Sequence, residues 1–75
     1  MRTPQRSLLY LRTQQFQLTQ AEFAALLGVK RADIGSYEEG RTQIPKSVLE
    51  SVVHAYNATF EPKITLTNLL TIILN

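Results

Sequence analysis

Residues 18–41, LTQAEFAALLGVKRADIGSYEEGR, decide the fold. Thr19 and Glu22 stand at the T-x-x-E spacing of a capping box. In that motif the threonine hydroxyl accepts from the backbone N–H three residues on, and the carboxylate reaches back to the threonine N–H. Leu18 before the cap and Phe23 four positions after it form a hydrophobic staple. Phe23, Ala24 and Leu27 follow helical spacing, and Gly28 ends that helix by supplying the left-handed backbone of a sharp turn. Val29, Ile34 and Tyr37 continue the buried pattern, which predicts another helix over 30–39 closed by Gly40.

Two short helices joined at a glycine turn, with buried residues at fixed offsets, describe a helix-turn-helix. Counting Gln20 as the first position, small Ala24 is fifth and Gly28 ninth. Phe23, Leu27, Val29, Ile34 and Tyr37 are fourth, eighth, tenth, fifteenth and eighteenth. Ala24 must be small where the next helix crosses it, Gly28 makes the turn, and the five larger residues set the interhelix angle. The plainer alternative is an ordinary αα-hairpin.

Outward from this unit, Thr3 and Pro4 cap and open a first helix expected over 4–15, with Leu8, Leu11 and then Phe16 near one face. Phe16-Gln17-Leu18 reads as a short connection. On the other side, the loop Arg41-Thr42-Gln43-Ile44 leads to Pro45. Val48, Leu49, Val52, Val53 and Tyr56 then form a helical stripe over about 45–57, ended by Asn57-Ala58-Thr59. Tyr56 and Phe60 are expected to fill the core. Pro62 breaks the chain. In the apolar tail, β-branched content favours a strand, whereas the spacing of Leu69, Leu70, Ile73 and Leu74 favours a fifth helix, the preferred reading. The fold class is all-α, a bundle of four to five helices.

Composition narrows the function. The 75 residues contain no cysteine and one histidine, His54, which excludes disulfides, thiolate metal sites, a cysteine nucleophile and a multi-histidine metal site. His54 late in a helix is expected to face solvent, and no nucleophile, base and orienter form a visible constellation, so no enzyme, metal or cofactor is expected. With 44 % hydrophobic residues the chain is globular rather than disordered. A chain this short gains only a few kcal/mol from one core and needs well-formed helices or a partner subunit. The net charge of +2 is uneven: residues 1–46 carry seven basic and four acidic side chains, and residues 47–75 carry Lys63 against Glu50 and Glu61. A basic N-terminal part suggests an anionic partner. No signal-peptide or membrane-spanning stretch is visible, which fits a cytoplasmic protein with no membrane partner.

Residues 8–57 resemble the phage repressor and Cro type of helix-turn-helix domain, the Xre family. The stretches LLYLR, LTQAEFAALLGVKRADIGSYEEGR and IPKSVLESVVHAYN carry the resemblance, which is strongest over 18–41. It implies a lambda-repressor-like bundle of four or five helices whose third helix enters the major groove of double-stranded DNA. It also implies a phosphate-binding role for Gln20, whose side-chain amide joins Thr19 and the free N–H groups at the start of the second helix. Ile34 and Tyr37 face inward, so Arg31, Ala32, Gly35 and Ser36 face the groove. Arg31 is the leading base contact, since its planar fork matches guanine O6 and N7. Ala32 suits a thymine methyl, Ser36 a base edge, and Asp33 either a cytosine amine or the cap of its own helix. Lys30, Arg41, Thr42, Gln43 and Lys46 suit phosphates, which position without specifying. The plainer reading of Lys30 and Arg31 is a solvated helix start.

Within the resemblance, Glu38 matches an acidic residue that pairs with an arginine of the first helix, here Arg12, a structural role. The stretch from Arg12 to Thr19 is one residue longer than is usual in the family, and Pro45 is shifted by about one position. Asp33 and Glu39 place negative charge near the reading helix. The leading functional expectation is a sequence-specific transcriptional regulator bound as a homodimer to a two-fold operator. The motif core is 19–40, and the apolar tail at 64–75 packs across the axis. The alternatives are an antitoxin acting with a toxin, a restriction-system controller, or an interaction module that has lost DNA binding. The tail could instead complete the monomer core or lead into a second domain.

Overall fold

A computed structural model describes residues 8–74, with side-chain environments for 8–71. The Thr3 cap, Pro4, Arg2 and Arg6 of the expected first helix lie outside the described residues. Among the described residues the chain is all-helical. Helical residues 8–10 run into the π-wound segment Leu11–Phe16, together α1, followed by α2 (Gln20–Leu27), α3 (Arg31–Glu39), α4 (Lys46–Thr59) and α5 (Leu66–Leu74). No helix of the described residues is long and apolar enough to cross a membrane.

The π segment takes up one more residue between Arg12 and Thr19 than an α-helical path would. A π turn closes on i→i+5 bonds and so takes in one more residue than an α turn. Here the N–H groups of Gln17 and Leu18 both donate to the Arg12 carbonyl, the latter at 3.1 Å. Gln17 leaves the helix in the left-handed region at φ 56°. Phe16, expected in a connection, belongs to the helix. Its ring sits 5.3 Å from Phe23, 6.3 Å from Tyr56 and 5.3 Å from Phe60. That cluster, completed by Tyr56 against Phe60 at 4.9 Å, ties α1 to the end of α4. Tilted and edge-on aromatic pairs of this kind add about 0.5–1.5 kcal/mol each beyond their buried area.

The capping box of α2 is formed in both directions: the Glu22 N–H donates to Thr19 Oγ1 at 3.1 Å, and the Thr19 N–H donates to Glu22 Oε1 at 2.9 Å. Phe23, Ala24 and Leu27 are buried. Gly28 and Gly40 end α2 and α3 at φ 74° and 79°. The two ends share one hydrogen-bond pattern, with Val29 N–H donating to Ala24 O and Arg41 N–H to Ser36 O, each at 3.0 Å. These are Schellman caps, which satisfy carbonyls the helix leaves over.

α2 packs on α3 and on α4, and α5 packs on α4. The core gathers Leu8 and Leu11 from α1, the three α2 residues, Ile34 and Tyr37, then Val48, Val52 and Ala55 of α4. α4 runs through Asn57 to Thr59, two residues past its expected end. It continues because the Thr59 hydroxyl donates back to Ala55 O at 2.8 Å and the Phe60 N–H donates to Tyr56 O at 2.7 Å. Asn57 is a clamp rather than a terminator. Its Nδ2 donates to Ile64 O at 2.8 Å and its Oδ1 accepts from the Ile64 N–H at 2.7 Å. The tail is a helix, opened by a reciprocal pair between Thr65 and Asn68 at 3.0 and 3.2 Å. Leu69 is fully buried in the core, so part of the apolar tail completes this chain's own packing. Burying a leucine side chain stabilises by about 1.5–3 kcal/mol.

Candidate nucleic-acid interface

The face in question is built by α2, its glycine turn and α3. Ile34, Tyr37 and Glu38 are buried on the inner side of α3. Arg31 and Ala32 are exposed, Arg31 on the flank of α3 beside Glu38 and Ala32 farther round, and Asp33, Gly35 and Ser36 are half-buried. Lys30, Arg41, Thr42, Gln43 and Lys46 are exposed around it. Lys30 precedes the first turn of α3, and Lys46 opens α4. His54 is exposed, as its late position in α4 suggested.

Several of these side chains already have partners. The Ser36 and Thr42 hydroxyls lie 2.8 Å apart, so one donates to the other. The accepting hydroxyl keeps its own hydrogen for an outside acceptor. Arg41 Nε lies 2.9 Å from Glu39 Oε1 with both side chains about two-thirds exposed, a pair worth little in water. Asp33 Oδ2 accepts from the Lys30 N–H at 3.4 Å, a one-sided cap, since a lysine ammonium has no acceptor to complete a box. The negative charge of Asp33 thus sits at the positive end of the α3 dipole. It also bears on Tyr37, whose hydroxyl is held above the ordinary tyrosine value, first by burial and then by the nearby Asp33 carboxylate.

At the start of α2 the capping box consumes two N–H groups, those of Thr19 and Glu22. Gln20 and Ala21, at the first two helical positions, keep N–H groups without intrahelical acceptors. Thr19 therefore contributes less than a free helix end would, and the Glu22 carboxylate stands beside it. Gln20 is tied inward: its Nε2 donates to Glu38 Oε1 at 3.0 Å. One amide hydrogen is used, and the second is left for an outside acceptor. A carboxylate can face only the NH2 side of the amide, so Glu38 also decides which way the amide is turned.

Glu38 and Arg12 form the centre of this support. Arg12 Nε donates to Glu38 Oε2 at 2.5 Å and Nη2 to Oε1 at 3.1 Å, while Nη1 donates to Leu18 O at 2.9 Å. The two side chains are 10 % and 5 % exposed. The expected Arg12–Glu38 pair therefore forms, with Arg12 in the π-wound segment of α1. It joins α1, the approach to α2, Gln20 and α3. The link from Glu38 to Gln20 spans eighteen positions, and no local pattern in the sequence announces it. The same holds for Ser36 and Thr42, which look like independent contacts until the Gly40 turn brings them together.

No curated protein and no solved structure compared with the chain gives a match. A family model described as a helix-turn-helix domain matches residues 6–62, well over half of the chain. The α2–turn–α3 geometry and that match agree, and the chain belongs to the helix-turn-helix domain family.

Proposed function

We propose that this protein is a sequence-specific DNA-binding transcriptional regulator of the phage repressor and Cro-like (Xre) type, reading the major groove with α3. The observation that carries the reading is the α2–Gly28–α3 unit, which leaves Arg31 and Ala32 exposed while Ile34 and Tyr37 anchor the inner face of α3. Arg31 reads a guanine edge, Ala32 packs on a thymine methyl, and Asp33 and Ser36 stand at neighbouring base edges. Lys30, Arg41, Thr42, Gln43, Lys46 and the Thr19–Gln20 helix start hold phosphates. The chain acts as a single non-catalytic domain over 1–75 in the cytoplasm. It works as a dimer whose α5 faces a two-fold axis, matching a two-fold operator.

The test is selection of bound duplexes from a random pool, followed by affinity measurement at two salt concentrations. Enrichment of a two-fold site whose affinity falls steeply with salt is expected, since each neutralised phosphate releases counterions. No enrichment, or a flat salt response, would refute the proposal.

One observation favours a second reading, an interaction module without DNA affinity. Carboxylates stand beside several expected contacts: Glu22 at the α2 start, Asp33 at the α3 start and Glu39 on Arg41. A folded protein that enriches no duplex would support that reading.

A further inference from the structure

We infer that Gly35 is the point at which the backbone of α3 meets the DNA with no side chain between them. The inference rests on the DNA-binding reading and adds a positioning residue to it. Gly35 lies inside α3, where glycine is the least favourable residue apart from proline. The fold gives no reason for it. Its backbone is not among those with positive φ, unlike Gly28 and Gly40. Among the described residues a Cβ built there would meet Gln20 Nε2 alone, at 3.7 Å, which is ordinary van der Waals contact. Where neither a turn nor internal packing demands a glycine, the remaining physical use is close approach of another molecule to the backbone.

Position says which molecule. Gly35 follows Arg31 by four residues and Ala32 by three, so it lies between those two exposed residues on the face of α3. On its other side stands the Gln20 amide, held by Glu38 at 3.0 Å and keeping one hydrogen to donate. Gly35 is thus the floor between a group suited to a phosphate and a group suited to a guanine edge. A strand gripped by Gln20 and read by Arg31 passes over it. A methyl group there would hold that strand off both contacts.

The experiment compares the full chain with Gly35→Ala, measuring thermal unfolding and affinity for the duplex selected by the unsubstituted protein. The expected result is a midpoint raised by several degrees together with affinity reduced about tenfold or more, the equivalent of 1.4 kcal/mol. Unchanged affinity would overturn the inference, because the added methyl would then meet nothing. A lowered midpoint would overturn it too, because the fold itself would then require the glycine. If the unsubstituted protein selects no duplex, the DNA-binding reading fails and this inference fails with it. That outcome is visible before any variant is made.

Discussion

Removing one partner of the buried Arg12–Glu38 pair should cost the fold more than removing both. In Glu38→Leu the guanidinium keeps only the Leu18 carbonyl at 2.9 Å, and the Gln20 amide loses its acceptor. In Arg12→Met the carboxylate keeps only the Gln20 amide. Each single change leaves a charge about nine-tenths buried without its counter-charge, which costs about 3–5 kcal/mol. At about 0.05–0.15 kcal/mol per residue, a chain of this length holds only about 4–11 kcal/mol in all. Either variant should therefore be marginally folded or unfolded. The double variant removes both charges, and methionine retains most of the packing of the arginine stem. It loses hydrogen bonds at Leu18 O and Gln20 Nε2, both part-buried, at about 1 kcal/mol each. The double variant should thus be more stable than either single one, with a coupling of several kcal/mol. Urea unfolding followed by far-ultraviolet circular dichroism gives all four corners of the cycle. Single variants that each cost under about 1 kcal/mol, or a double variant whose loss equals the sum of the two, would refute the reasoning.

Three further outcomes are expected. Arg31→Ala should cost about 1–3 kcal/mol on the selected duplex and relax preference at one base position, whereas Lys30→Ala should weaken all duplexes alike and lower the salt slope by about one. A competition assay against point-substituted duplexes separates the two, and the reverse pattern would overturn their assignment. Gly28→Ala should destabilise by about 1–2 kcal/mol from backbone strain alone, since its φ is 74° and no atom of the described residues lies within 4 Å of an added Cβ. A neutral effect in thermal unfolding would show that the turn does not need a left-handed residue. Burial, and after it the Asp33 carboxylate, raises the Tyr37 pKa above the ordinary tyrosine value in the folded state, so the fold favours the neutral hydroxyl. Its contribution is complete below about pH 10 and is lost as pH climbs through the folded value. Urea midpoints should fall between pH 9 and pH 11, less so in Tyr37→Phe. An equal fall in both proteins would contradict this.

Local patterns carried most of the fold. The Thr19–Glu22 box and the two glycine stops each depend on residues within five positions, and each appears as the spacing dictates. The tail could be read as helix or strand because its apolar run fits both periods. The Thr65–Asn68 cap decides for helix. The π turn was visible only as a surplus residue. Where the surplus goes depends on Arg12 and Phe16 being anchored at once, one to Glu38 on α3 and the other to an aromatic cluster on α2 and α4. Long-range anchoring of that kind has no period in the sequence. The exposed residues of the candidate interface were legible from the α3 wheel. The bonds that tie Gln20 to Glu38 and Ser36 to Thr42 were not, because they join different elements.

The Asn57 clamp has a consequence for the geometry of an operator. By gripping both the N–H and the C=O of Ile64, it fixes the bend between α4 and α5 with two hydrogen bonds near 2.8 Å. In the proposed dimer the two-fold axis runs beside α5, while the reading helix lies on the far side of α2. The separation of the two α3 helices is then a lever arm whose angle is held by this asparagine together with the buried Leu69. Half-site spacing, a property of the DNA, would be written into the protein at residues that touch no DNA.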